Sequence, residues 1–269
     1  MRFLASFCLA CILFATANGA SAATPPTVFL DELTWTELRD RIASGKTTVI
    51  IPIGGTEQSG PHMALGKHNA RAKALSEKIA AALGNALVAP TIAYVPEGGI
   101  NPPTGHMRFP GTITIPDATF EKVVEYAARS FKLHGFRDIV LLGDHGDYLK
   151  FLRAVADRLD REWATTNVRV HAIDEYYRVT QTTYVQALKR EGIRDDEIGI
   201  HGGLADTSLT LAIDPRLVRT EKLASPDAAK ATDGVKGDPR RSTAALGQLG
   251  VDAIVAASVD AIKHAVARR

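Results

Sequence analysis

The sequence predicts an α/β fold, a three-layer sandwich with helices on both faces of a mostly parallel sheet. Two observations predict it. The runs TTVIIPI at 47–53 and DIVLL at 138–142 are too uniformly apolar for strands with a wet face and suit strands buried on both sides. Helix-forming segments alternate with the strands, as crossover connections between parallel strands require.

Taken in order, residues 35–43 read as a short helix capped by Thr34 and stopped by Gly45. Residues 47–53 are the first buried strand. Ala, Lys, Glu and Leu make 69–83 a helix, and 86–93 a second strand. Residues 94–112 form a Gly/Pro-rich loop of the kind that is either disordered or builds a site. An amphipathic helix at 117–134 ends at Gly135, a strand at 138–142 follows, then a helix at 148–163 and a strand at 168–173. Residues 209–212 open a helix after a Gly-rich turn. The segment 244–267 is helical, with Gly247 and Gly250 tending to delay its start.

The N-terminus has a different character. Arg2, an apolar run over 3–17 and the small residues Ala20-Ser21-Ala22 read as a signal peptide spanning 1–22, which leaves 23–269 as a single domain and predicts a periplasmic or secreted location. Leu9-Ala10-Cys11 also admits a lipoprotein reading, but this Cys falls inside the apolar run. Both cysteines, Cys8 and Cys11, lie in the leader, so residues 23–269 contain no disulfide and no thiol nucleophile. A net charge of +2, with the charges dispersed, argues against nucleic acid or an anionic membrane as partner. No other stretch reads as a membrane span, so the mature chain is expected to be soluble.

The chemistry-bearing residues cluster in Gly-rich turns after apolar runs, where open α/β sheets place their sites. Glu57, His62 and His68 follow the first strand, and Asp144, His145 and Asp147 the strand at 138–142. Carboxylates and imidazoles together suit a hard or borderline metal ion. The competing readings are a solvated loop in which Glu57 caps the next helix, and a helix N-terminus that favours acidic residues. In an extended turn His145 and Asp147 point to one side and Asp144 to the other. A third cluster, His201-Gly202-Gly203-Leu204-Ala205-Asp206-Thr207-Ser208, can face one cavity, although Asp206 reads first as a helix N-cap. His106, Arg108 and Phe109 sit among prolines at 102–110, on a loop that is either a substrate-facing rim or packed on itself. There is no G-x-S-x-G elbow and no Walker A loop, and Gly54-Gly55 lacks the spacing of a dinucleotide fingerprint.

Five ordered motifs together resemble the creatininase (creatinine amidohydrolase) family over about residues 35–242. Glu57-Gln58-Ser59-Gly60-Pro61-His62 resembles its E-x-H-G-P-H. Gly105-His106-Met107-Arg108-Phe109-Pro110-Gly111-Thr112 resembles its G-H-x-x-F-P-G-T. Gly143-Asp144-His145-Gly146 falls at its N-G-H-G, His201-Gly202-Gly203 with Asp206-Thr207-Ser208 at its H-A-G-x-x-E-T-S, and Gly234-Val235-Lys236-Gly237-Asp238-Pro239 at its late G-V-x-G-D-P. The resemblance implies a creatininase-like sandwich, frequently hexameric, and metal-dependent hydrolysis of the C–N bond of a small, often cyclic, amide. With the dispersed charge, no nucleic-acid partner and no membrane association after removal of the leader are expected.

The departures fall on the metal ligands. Ser59 replaces a His, His68 a bridging Asp, and Asp206 a Glu. A neutral imidazole offers one ligand nitrogen and cannot bridge two cations as a carboxylate does. The resemblance therefore implies one ion held by Glu57, His68 and His145, most simply zinc, with manganese or iron as alternatives. It further implies Asp206 or Asp147 as the group that takes a proton from water, and His201 as the oxyanion stabiliser or leaving-group acid. His62, His106, Arg108 and Phe109 are the expected substrate-binding residues. The altered ligands leave a second reading, a catalytically inactive binding or scaffold relative, and a third, another metal-dependent reaction such as lactone hydrolysis in the same pocket.

Overall fold

The computed structural model describes residues 26–268. The signal-peptide and lipoprotein readings of residues 1–22 lie outside the described residues.

Four strands form one parallel sheet: β1 (Thr48–Ile53), β2 (Ala86–Val88), β3 (Asp138–Gly143) and β4 (Arg169–Ala172), in the order β2-β1-β3-β4. β1 and β3 are central and buried at every position, as their apolar runs predict. Ten α-helices accompany them among the described residues: α1 (Trp35–Ala43), α2 (Lys67–Leu83), α3 (Asp117–Leu133), α4 (Leu149–Glu162), α5 (Glu175–Gln181), α6 (Thr183–Arg190), α7 (Asp195–Ile198), α8 (Leu204–Ile213), α9 (Thr220–Leu223) and α10 (Ala244–Ala267).

Strand alternation divides the core between the two faces. Val49, Ile51, Ile139 and Leu141 pack with Phe120 and Val124 of α3 and Leu152 and Val155 of α4. Ile50, Val140 and Leu142 point the other way, onto Leu75 and Ile79 of α2, Leu204 of α8, and Val251 and Ile254 of α10. Apolar side chains buried on both faces supply the main stabilisation of such a sandwich.

Several boundaries differ from expectation. α2 starts at Lys67, directly after Gly66, so Lys67 and His68 belong to its first turn and not to the preceding loop. β2 ends at Val88, ahead of Pro90, which cannot donate a ladder hydrogen bond; the chain rejoins β1 through an isolated bridge between Ile53 and Ile92. α8 starts just after Gly203, well before residue 209. Asp206 therefore lies in its first turn, and the expectation of Asp206 as N-cap is corrected. The helices α5, α6, α7 and α9 are too short to announce themselves by periodicity.

α10 needs two corrections. Gly247 and Gly250 do not delay the helix, which begins at Ala244 with Thr243 accepting from the Leu246 N–H. A Cβ on Gly247 would lie 1.9 Å from Ser208 O, so the glycine allows α8 and α10 to approach closely. α10 is also long and apolar enough to cross a membrane by length and composition, which the sequence reading excluded for this region. It packs along α8, α5 and α2, and its apolar character serves that layer.

The strand order sets the position of the site. The chain leaves β1 through α2 to reach β2 on one side, then returns to place β3 on the other. Ligands of open α/β sheets bind at the carboxyl ends of strands flanking such a reversal. Ile53 and Gly143 end the two strands in register, and each opens into a turn carrying polar groups.

Candidate active site

The turn after β1 is shaped by glycine. Gly55 has φ +156°, and a Cβ there would meet Glu97 Oε1 at 2.7 Å; its absence lets the loop at 94–112 bring Glu97 against Glu57. Glu57 is fully buried, and its two oxygens face different neighbours. Oε2 makes no hydrogen bond and lies 3.1 Å from His106 Nε2 and 3.8 Å from His145 Nε2. Oε1 lies 2.7 Å from His68 Nε2, 3.4 Å from Lys67 Nζ and 3.7 Å from His201 Nδ1.

Glu57, Glu97, His106 and His145 each place one ligand atom within 4.8 Å of the others. Glu97 is buried and neither of its oxygens has a hydrogen-bond partner. Burial, and then the negative charge of Glu57, push its carboxyl up to about 9. Burial holds His145 down to about 4 and His106 below the usual imidazole range, although Glu57 opposes both shifts. Neutral imidazoles beside carboxylates, with three buried carboxylate oxygens that make no hydrogen bond, form a donor set that fits a divalent cation.

His68 is placed differently from the expectation that made it a ligand of this ion. Its Nε2 lies against Glu57, and its Nδ1 is 2.6 Å from Asp144 Oδ2. Both nitrogens are thus engaged with carboxylates, and the four-residue set does not include it. Asp144 also accepts from Arg71 and from the Tyr176 hydroxyl at 2.8 Å. Asp206 accepts from Lys67 Nζ at 2.7 Å, from Arg71, and from the Gly202 N–H at 3.0 Å. Burial raises the Asp206 carboxyl, but Lys67 and Arg71 outweigh it and hold the group well below the usual range. Such a carboxylate is a poor acceptor of a proton from water.

His201 Nε2 lies 2.9 Å from the Gln58 carbonyl oxygen, which can only accept. The same Nε2 lies 3.2 Å from the Gln58 side-chain amide nitrogen, and Nδ1 faces Glu57 Oε1 at 3.7 Å. Burial, and then Lys67, hold His201 down to about 4. Gln58 Oε1 accepts from the Gly60 N–H, and its amide nitrogen lies 3.1 Å from His106 Nδ1, so one side chain bridges two imidazoles carried by different loops.

A pocket of about 870 Å³ opens over this floor, lined by His106, Arg108, Phe109, His145, Asp147 and His201 among others. A second cavity of about 60 Å³ reaches deeper, to Lys67, His68, Arg71 and Asp206. Arg108, Phe109 and Asp147 are thus brought together on the wall. His62 is not: it is fully buried, with Nε2 2.9 Å from Thr207 Oγ1, and ties the β1 turn to α8. Ser59 is also fully buried and donates to the Gln58 carbonyl at 2.8 Å. Glu97, Lys67 and Arg71 escaped the sequence reading. Glu97 is the one acidic residue of the loop at 94–112, which was the available signal.

A family model described as creatinine amidohydrolase matches residues 31–262. The chain belongs to the creatininase family. Within that family it is 31% identical over 199 residues to the creatinine amidohydrolase of Pseudomonas putida, covering 73% of this chain and 75% of the relative. It is 29% identical over 226 residues to the mycofactocin precursor peptide peptidase of Mycolicibacterium smegmatis, covering 80% and 84%. The fold matches a crystal structure of creatinine amidohydrolase with a TM-score of 0.74 at 28% identity, covering 90% of this chain and 98% of the other. It also matches a glutamate-to-glutamine creatininase variant described as Zn–Zn type, with a TM-score of 0.71 at 29% identity over 90% and 99%. A structure described as creatininase Mn matches with a TM-score of 0.71 at 27% identity over 89% and 98%. The relatives are hydrolases, and solved creatininases carry zinc or manganese. This creatininase-family chain keeps an α/β sandwich with a parallel sheet and a cluster of metal-ligating side chains beyond the carboxyl ends of β1 and β3.

Proposed function

We propose that this chain is a metal-dependent amidohydrolase that cleaves a C–N bond of a small amide. The observation that carries the reading is the set Glu57, Glu97, His106 and His145, with three buried carboxylate oxygens that make no hydrogen bond. These residues would hold one divalent cation, zinc or manganese. When bound, such a cation polarises the scissile carbonyl and makes water nucleophilic near neutral pH.

The other roles fall to the chain's own groups. His201 lines both cavities, and we assign it to stabilising the oxyanion or to proton transfer at the leaving nitrogen. Asp206 is held by Lys67 and Arg71, so we assign it to positioning. Arg108, Phe109 and Asp147 orient the substrate, and the pocket's volume lies in the range of sites for drug-sized ligands. The cation-ready donor set favours this reading over an inactive scaffold.

The experiment is to load purified protein with zinc or manganese and screen cyclic and linear amides by amine release. His201→Asn should retain the metal and lower kcat by about 10²–10⁴-fold, the scale of general acid–base catalysis. Loss of metal in that variant would make His201 a ligand, and an unchanged rate would remove it from the reaction. We further propose that the enzyme is exported after removal of residues 1–22. Mass spectrometry of the mature product should find a terminus near Ala23, and an intact Met1 there would refute export by this leader.

A further inference from the structure

Lys67 is the unexplained group of the site. Its side chain is 1% exposed, and long cationic side chains are rarely buried unless paired. Its Nζ lies 2.7 Å from Asp206 Oδ2, 3.0 Å from His68 Nε2 and 3.4 Å from Glu57 Oε1. Two carboxylates and an imidazole are the neighbours expected of a divalent cation, but here an ammonium sits among them. Glu57 turns its Oε1 to this ammonium and its Oε2 to the set formed with Glu97, His106 and His145. It therefore spans two adjacent cation positions.

We propose that the Lys67 ammonium permanently fills the second of these positions, so that the site holds a single metal ion. The proposal rests on the metal-centre reading above. Buried charge supports it. Glu57, Glu97, Asp144 and Asp206 are four carboxylates, and Lys67 and Arg71 are the two fixed cations beside them. With the imidazoles counted as neutral, one dication balances the group, whereas two would leave a buried excess of positive charge, which is costly without compensation. A creatininase variant described as Zn–Zn type has the same fold, so a second ion is a real alternative for this architecture. Arg71 stabilises the substitution by binding Asp206 and Asp144 at once, which holds Asp206 in place as the counterion of Lys67.

The test is zinc content per subunit, by elemental analysis after dialysis against buffered zinc in excess of the protein. Wild-type protein and Lys67→Arg, which keeps the cation, should each hold one ion. Lys67→Ala, which removes the charge and opens room beside Glu57, Asp206 and His68, should hold two. Lys67→Ser, neutral and small, is read in the same way if the Ala variant does not fold. Two ions in wild-type protein overturn the proposal and leave the metal-centre reading intact, as does a single ion in a folded Lys67→Ala. Wild-type protein that takes up no zinc overturns the metal-centre reading, and this proposal with it.

Discussion

Glu97 shows what a single buried carboxyl implies for binding. With its carboxyl pushed up to about 9, the metal-free protein carries a proton there at pH 6, whereas His145, held near 4, is neutral. A cation must displace the Glu97 proton, so zinc binding at pH 6 should release about one proton, and affinity should rise as pH rises toward 9. Calorimetry in buffers of different ionisation enthalpy measures this. Glu97→Gln should abolish the release and weaken binding; unchanged release in that variant would clear Glu97 of the role. Asp206 has a different part. Asp206→Asn strips Lys67 and Arg71 of a shared buried partner, and breaking such a pair costs about 3–5 kcal/mol, readable as a lowered midpoint in denaturant. An unaltered midpoint would mean the two cations are satisfied elsewhere. Glu57 and His145 were legible in the sequence because they follow apolar strands directly. Glu97 was not, because its partners come from loops distant in sequence and only the packed structure joins them. His68 and Asp206 stand in place of family ligands, but the neighbouring Lys67 and Arg71 decide what they do.

At the scale of elements, the alternation of apolar strands and helices announced the sandwich because burial on both faces leaves no polar period in the strands. β1 and β3 were readable almost to the residue. The errors sit at ends and in short pieces: α2 two residues longer at its start, β2 cut short before Pro90, and α5, α6, α7 and α9 unannounced. Short helices depend on tertiary contacts, which no local pattern contains. The contact of α8 with α10 is one of these. Gly247→Val would drive a side chain into the Ser208 carbonyl, and overpacking of this kind costs about 1–3 kcal/mol. Thermal unfolding should show a lowered Tm. An unchanged Tm would show that the two helices separate without penalty.

For the whole molecule, the parallel order β2-β1-β3-β4 explains why residues from three distant segments meet. The reversal at β1 and β3 brings the Glu57 turn beside the His145 turn, and the long loop carrying Glu97 and His106 covers them. The central claim is that a divalent cation binds among these four residues. An anomalous difference map at the zinc edge, from crystals of zinc-loaded protein, tests it most directly. The account predicts one peak per subunit, between Glu57, Glu97, His106 and His145. A peak centred instead between His68 and Asp206, or no peak at saturating zinc, would contradict it.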